Sequence, residues 1–212
     1  IVCENDTYLA RAVIIATGAH HRKLGAKGEE ILTGAGVSYC ATCDGAFFKG
    51  KTTAVIGGGD VAIEDAIFLA RMCSKVYLIH RRDELRGAKS LQNRLMSLDN
   101  VEVIWDTVVE EIVGSDKVEA LKLNNKKTGE KSELKVDGVF VAVGIEPDSG
   151  QYAGQVETDN QGYIIAGEDG RTSVDGVFAA GDVRTKALRQ IITAAADGAN
   201  CITSAQSYLT RI

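Results

Sequence analysis

Thr52-Thr53-Ala54-Val55-Ile56-Gly57-Gly58-Gly59-Asp60-Val61-Ala62 is the stretch whose reading decides the fold. A short β-rich run leads straight into three glycines, and a helical pattern follows, with Ala62, Ala66, Leu69, Ala70 and Cys73 at helical spacing. Val76-Tyr77-Leu78-Ile79 then reads as a second strand. Strand, glycine turn, helix and strand within about 30 residues form a βαβ unit, which crosses over right-handed into a parallel sheet.

The turn fits G-x-G-x-x-A. Its first glycine permits the tight bend, the second lets a pyrophosphate reach the backbone, and the small Ala62 allows helix and sheet to pack closely. The helix N-terminus adds the positive end of a dipole. The competing reading is a glycine turn with a purely structural task. The end of the next strand bears on the cofactor. NAD-binding folds carry an acid there for the ribose 2′-hydroxyl; this chain has His80-Arg81-Arg82, with Arg86 one helical turn on. Guanidinium groups suit a 2′-phosphate by charge and by bidentate geometry, which favours NADPH. Asp83 and Glu84 lie alongside, so a solvated charged patch is the alternative.

Working outward, Leu85 to Leu98 reads as another helix and Val101 to Trp105 as a strand. Four short β runs follow: Val108 to Val113, Val118 to Leu123, Leu134 to Val136 and Val139 to Val143. Their spacing reads as an antiparallel meander. The single proline, Pro147, marks a boundary. The two ends resemble each other: an apolar strand runs into Ala16-Thr17-Gly18, and Gly176-Val177-Phe178-Ala179-Ala180 runs into Gly181-Asp182. A helix is expected from about Gln190 to Leu209. The expected organisation is one domain built from residues 1–21 and 148–212, with a second, residues 22–147, inserted between them. The fold class is α/β: a Rossmann-like three-layer domain of parallel sheet, helices and antiparallel meander.

The composition, 45% hydrophobic and 25% charged over 212 residues, excludes a disordered, collagen-like or coiled-coil chain. A net charge of -5 argues against nucleic-acid binding. The longest apolar runs, Ala12 to Ala16 and Val139 to Val143, have strand length, far short of a membrane span. There are 23 glycines, against a usual ~7% of residues, which fits tight ligand-facing turns. The chain opens on Ile1-Val2-Cys3 with no initiator methionine, so a processed or truncated start is expected.

Of the five cysteines, Cys73 and Cys201 fall within apolar helical patterns and are expected to be buried thiols. Cys40-Ala41-Thr42-Cys43 stands apart. A C-x-x-C pair near a nucleotide-binding βαβ unit reads as redox-active, in a reducing cytoplasm. Zinc would need two further ligands; His20 and His21 lie some twenty residues away and no second C-x-x-C exists, so no metal site is expected. Asp44 can serve as proton donor or acceptor for a leaving thiolate, or simply as a turn residue before Gly45.

Cys40-Ala41-Thr42-Cys43-Asp44-Gly45, then Gly57 to Ala62, then His80-Arg81-Arg82 with Arg86, resemble the low-molecular-weight thioredoxin reductases in the same order. Ala16-Thr17-Gly18-Ala19, Gly176 to Val183 and Arg189-Gln190-Ile191 agree, and the resemblance spans essentially the whole chain. It implies a flavoenzyme: NADPH reduces FAD, the flavin reduces the Cys40–Cys43 disulfide, and the dithiol reduces thioredoxin. By resemblance, Cys43 is the sulfur nearest the flavin, Cys40 attacks thioredoxin, and Asp44 is the acid/base partner. Asp182 and Arg189-Gln190-Ile191 would contact FAD, with Thr17 and Gly18 at the edge of its site and Gly144 also among the cofactor-binding residues.

The family is homodimeric, and its NADPH domain rotates about connections that fall here near 20–25 and 144–150. The family's first G-x-G-x-x-G, for the FAD pyrophosphate, is missing together with roughly a hundred residues, which leaves the expected FAD site incomplete and residues 1–21 and 148–212 as its remnants. Two other readings stand beside this one. The first is a relative with another partner, such as the flavoprotein subunit of alkyl hydroperoxide reductase or a system with a ferredoxin-like donor. The second is a nucleotide-binding module without turnover.

Overall fold

The computed structural model describes residues 1–211 and divides into two compact units. One is Arg22–Gly144; the other combines Ile1–His21 with the chain from Ile145 onward. Strands β1 (Val13–Ile15) and β2 (Ala19–His21) come first. The middle unit then runs α1 (Glu29–Leu32), β3 (Val37–Ser38), α2 (Ala41–Asp44), β4 (Thr52–Gly57), α3 (Asp60–Ala70) and β5 (Lys75–Ile79). It continues through α4 (Lys89–Met96), β6 (Val101–Ile104), β7 (Thr107–Val113), β8 (Ala120–Asn125), β9 (Lys131–Lys135) and β10 (Gly138–Ala142). The outer unit resumes with β11 (Ile145–Pro147), β12 (Val177–Ala179) and α5 (Ile191–Leu209).

In the middle unit a five-stranded parallel sheet has the order β3-β10-β4-β5-β6. Period-two alternation sends successive side chains to opposite faces, and both faces are covered. Val55, Val76, Leu78 and Phe140 pack with Ala62, Ile63, Ala66 and Leu69 of α3 and Leu95 of α4. Ala54, Ile56, Val139 and Val141 pack instead with Val109, Ile112, Leu121 and Leu123. Those last four belong to a three-stranded antiparallel sheet, β7-β8-β9. Helices, parallel sheet and meander make the three layers expected for the α/β class.

Two segments differ from the sequence reading. The run Val139 to Val143 is not a meander strand: β10 lies in the parallel sheet between β3 and β4. Its continuous burial is the reason, because a strand covered on both faces carries apolar residues at every position. The helix read from Leu85 is confined to Lys89–Met96. Residues 85–88 are held against the glycine turn instead: Arg86 N–H donates to the Gly58 carbonyl at 2.7 Å, and Ala88 N–H donates to Asp60 Oδ1 at 2.7 Å.

In the outer unit β1 pairs parallel with β12, Val13 opposite Val177 and Ile15 opposite Ala179. Strand β2 pairs antiparallel with β11, Ala19 opposite Pro147, so the units divide after Gly144 rather than at the proline. Ile15, Ile164, Ala179 and Val183 form one apolar cluster, and Phe178, Ala180 and Cys201 form a second. Gln190 caps α5 through a reciprocal capping box with Thr193. Cys73, just beyond the end of α3, and Cys201, within α5, are both buried, as expected. Among the described residues no helix is long and apolar enough to cross a membrane.

Candidate active site

Strand β3 ends at Ser38, and two residues later the Cys40–Cys43 disulfide closes onto the short helix α2, with its Cα atoms 5.3 Å apart. Ser38 is buried. Its hydroxyl accepts the Cys40 N–H at 3.1 Å and donates to Asp44 Oδ2 at 2.6 Å. One side chain therefore fixes both the start of the disulfide loop and the carboxylate that follows it. The Cys43 N–H donates to Cys40 Sγ at 3.2 Å, and Thr42 Oγ1 lies 3.4 Å from the same sulfur. Donors aimed at Cys40 Sγ favour negative charge there once the bond is opened. Cys43 is the more exposed of the pair and Cys40 is half-buried. Behind the loop, Gly45 lies close enough to α3 that a Cβ would stand 3.0 Å from Leu69 Cδ2. Phe48 packs edge-on to Phe140, while its neighbour Phe47 is 73% exposed.

A second support sits beside the loop. Glu29 is buried, and its carboxylate accepts N–H groups of Leu24 and Gly25 and the Tyr39 hydroxyl, each at 2.8 Å. Burial, then the hydrogen bond to Glu29, push the Tyr39 phenol up to about 12. Neither Ser38 nor Glu29 stood out in the sequence. Ser38 precedes the cysteine pair by two residues with no motif of its own, and Glu29 reads as an ordinary first-turn acid.

At the β4–α3 turn, a Cβ on Gly57 would strike the Ala142 carbonyl and lie 2.6 Å from the Ala62 Cβ. Close packing of helix on sheet thus depends on both small residues. A Cβ on Gly58 would run into the His80 ring, whereas Gly59 faces open space. No side chain caps α3 at Gly59, so its first-turn N–H groups remain available to an anion. Asp60 is engaged with Ala88, and Val61 is exposed. His80 is buried, its Nε2 lacks a hydrogen-bond partner, and burial is the main cause holding its pKa below the ordinary value. Arg81, Arg82 and Arg86 are exposed around it. An uncapped helix N-terminus, an open glycine and an orphaned ring nitrogen next to a cluster of guanidiniums fit a phosphorylated dinucleotide.

The outer unit carries a cleft of about 360 Å³, lined by small residues that include Ala16, Gly18, Ala180 and Gly181, with Asp182 at its wall. Asp182 Oδ1 is buried without a partner, and so is Arg189 Nε, whose guanidinium stacks over the Tyr163 ring at 4.0 Å. A buried carboxylate oxygen in need of a donor, over a floor of small residues, fits a hydroxyl-bearing chain such as that of a flavin nucleotide. Thr17 sits at the rim with its hydroxyl donated to the Asp148 carbonyl at 2.6 Å. Gln190 is spent on capping α5, and Ile191 is 91% exposed. Gly144 belongs to the middle unit; its φ of 126° lies in the region that favours glycine, and its carbonyl accepts the Arg22 N–H.

The firmest polar structure in this unit was not anticipated. Asp197 of α5 is buried and takes a fork of hydrogen bonds from Arg184 at 2.7 and 2.9 Å, one from Lys186 at 2.7 Å, and the Gly181 N–H at 2.9 Å. The same acid thus fixes the backbone beside Asp182. An acid four residues before the buried Cys201, on the inward face of an otherwise uncharged helix, was the available signal.

The pyridine nucleotide-disulphide oxidoreductase family matches residues 2–198. The thioredoxin reductase of Listeria monocytogenes is 50% identical over the whole chain, which spans 67% of that protein. That of Treponema pallidum is 48% identical over 99% of the chain and 68% of its own length. Among solved structures, a thioredoxin reductase from Streptococcus pyogenes superposes with a TM-score of 0.94 at 48% identity, covering all of this chain and 69% of that one. One from Giardia duodenalis gives 0.90 at 41% identity, over 98% and 68%. The chain belongs to the thioredoxin reductases, within the pyridine nucleotide-disulphide oxidoreductase family.

Proposed function

We propose that this thioredoxin reductase takes electrons from NADPH, uses FAD as its flavin, and reduces the disulfide of thioredoxin through Cys40 and Cys43. The observation that carries the reading is the Cys40–Cys43 disulfide with Asp44 held on the same turn by Ser38. The glycine turn at 57–59 and the first turn of α3 would bind the pyrophosphate, and Arg81, Arg82 and Arg86 the 2′-phosphate. Asp182, with Gly18 and Gly181, would hold the flavin nucleotide, and Arg189 would pair with its anionic groups. A flavin bound there would supply two-electron redox chemistry between a nicotinamide and the Cys40–Cys43 disulfide.

The remaining work falls to the chain. Two electrons and two protons open Cys40–Cys43 to a dithiol. Hydrogen bonds from the Cys43 N–H and from Thr42 favour the thiolate on Cys40, which attacks one sulfur of the substrate disulfide. Cys43 then attacks Cys40 in the mixed disulfide, and the substrate leaves as a dithiol. Asp44 gives the proton that the departing thiolate needs. The exposed Phe47 beside the pair offers an apolar contact to a protein substrate.

The test is NADPH-driven thioredoxin reduction by Cys40→Ser in the intact enzyme. Loss of turnover is expected, and retained turnover overturns the reading. A strong preference for NADH over NADPH in the unmodified enzyme would move the substrate assignment to the peroxide-reductase branch.

A further inference from the structure

The basic loop after β5 is electrically balanced by its own neighbours. Arg81, Arg82 and Arg86 supply three positive charges, but Asp83 and Glu84 follow Arg82 directly. A third carboxylate, Asp106, closes the loop from the end of β6, with its backbone N–H donating to the Arg82 carbonyl at 3.1 Å. Asp106 has φ 53°, alone among the non-glycine residues described in the left-handed region, and its carbonyl accepts the Lys126 N–H at 2.6 Å. This anchors the β8–β9 turn on the loop. From that turn Lys127 Nζ reaches Asp83 Oδ2 at 2.8 Å and Asp106 Oδ2 at 3.1 Å. Lys127 and Asp83 are 59% and 67% exposed, and ion pairs this open contribute little to stability. Their effect is on the local potential.

We infer that Lys127 is a specificity-determining residue for the 2′-phosphorylated dinucleotide: it bridges the Asp83 and Asp106 carboxylates and offsets one of their two negative charges, which otherwise repel a dianionic 2′-phosphate from the arginines. This rests on reading the loop as the 2′-phosphate site. Without Lys127 the three positive charges of Arg81, Arg82 and Arg86 are matched by the three negative ones of Asp83, Glu84 and Asp106. With it, the corner is clearly cationic. A 2′-hydroxyl carries no charge and is indifferent to the change, so the lysine sharpens discrimination rather than binding in general.

The experiment is calorimetric titration of the full chain with 2′,5′-ADP and with 5′-AMP, which lacks the 2′-phosphate. Lys127→Met is expected to weaken 2′,5′-ADP by about fivefold at low salt, less at high salt, and to leave 5′-AMP within about twofold. Adding Asp83→Asn to Lys127→Met should recover most of the loss, since removing one negative charge then offsets the lost positive one. Equal weakening of both ligands, no weakening, or no recovery with Asp83→Asn overturns the inference; the last would mean that Lys127 meets the phosphate itself. Arg82→Gln serves as the reference. If it too leaves the ratio of the two affinities unchanged, the 2′-phosphate reading fails and this inference falls with it. If it collapses the ratio while Lys127→Met does not, only the lysine's part is wrong.

Discussion

The Ser38 hydroxyl donates to Asp44 Oδ2 at 2.6 Å while accepting the Cys40 N–H at 3.1 Å, so the orientation of the Asp44 carboxylate is tied to the backbone of the disulfide. Removing the hydroxyl frees the carboxylate to turn away without opening a cavity larger than one oxygen. Ser38→Ala should therefore lower kcat for thioredoxin reduction by about tenfold, part of the usual worth of a positioned proton donor. The KM for NADPH should be unchanged, and Ser38→Thr should restore most of the rate. Steady-state kinetics of the three proteins check this; an unaffected kcat in Ser38→Ala removes the coupling.

The Arg184–Asp197–Lys186 cluster is buried, and breaking it leaves uncompensated cations inside. Asp197→Asn should cost about 3–5 kcal/mol of stability by urea unfolding. Burial alone would raise the Asp197 carboxyl, but hydrogen bonds from Arg184, Lys186 and the Gly181 N–H outweigh it and hold the group at about 2, below its ordinary 3.8. A depressed carboxyl stabilises the fold above its unfolded value, and that contribution fades as pH falls from about 4 towards 2. The wild-type chain should lose roughly 2 kcal/mol over that window. Asp197→Asn should lack this part of the acid dependence.

Two neighbouring glycines should behave differently. A Cβ at Gly58 meets the buried His80 ring, with Nε2 at 2.7 Å, whereas one at Gly59 meets nothing within 4 Å. Gly58→Ala is expected to destabilise the chain by about 1–3 kcal/mol through overpacking. Gly59→Ala should leave the melting temperature unchanged yet weaken NADPH binding, because its methyl occupies the space a pyrophosphate needs. Thermal melts paired with nucleotide titrations separate the two. Unaltered NADPH affinity in Gly59→Ala would show that the phosphates do not approach this turn.

Phe47 is 73% exposed while Phe48 beside it is 8% exposed, so only the second is needed for packing. Phe47→Ala should leave the melting temperature intact and raise the KM for thioredoxin by about tenfold, the usual loss of one aromatic anchor. An unchanged KM would mean that the substrate docks elsewhere.

The elements legible from the residues were those written in local periodicity. Thr52 to Ile79 could be read as a βαβ unit because the glycine turn and the switch from period two to helical spacing are properties of neighbouring residues. The cysteine pair and the Asp44 that follows it were visible for the same reason. The place of β10 was not, since Val139 to Val143 is apolar throughout and such a run does not name its partner strands. Nor was the early end of the helix read from Leu85, because the contacts of Arg86 with Gly58 and of Ala88 with Asp60 span 28 residues in each case. Ser38, Glu29 and Asp197 were missed as working residues because each is an ordinary polar side chain until the fold brings its partners to it. The sequence by itself determined the chemistry the chain carries and the layers that present it. Only the tertiary structure decided which buried polar groups hold that chemistry in place, because hydrogen-bond partners far apart in the chain are chosen by packing and leave no local pattern.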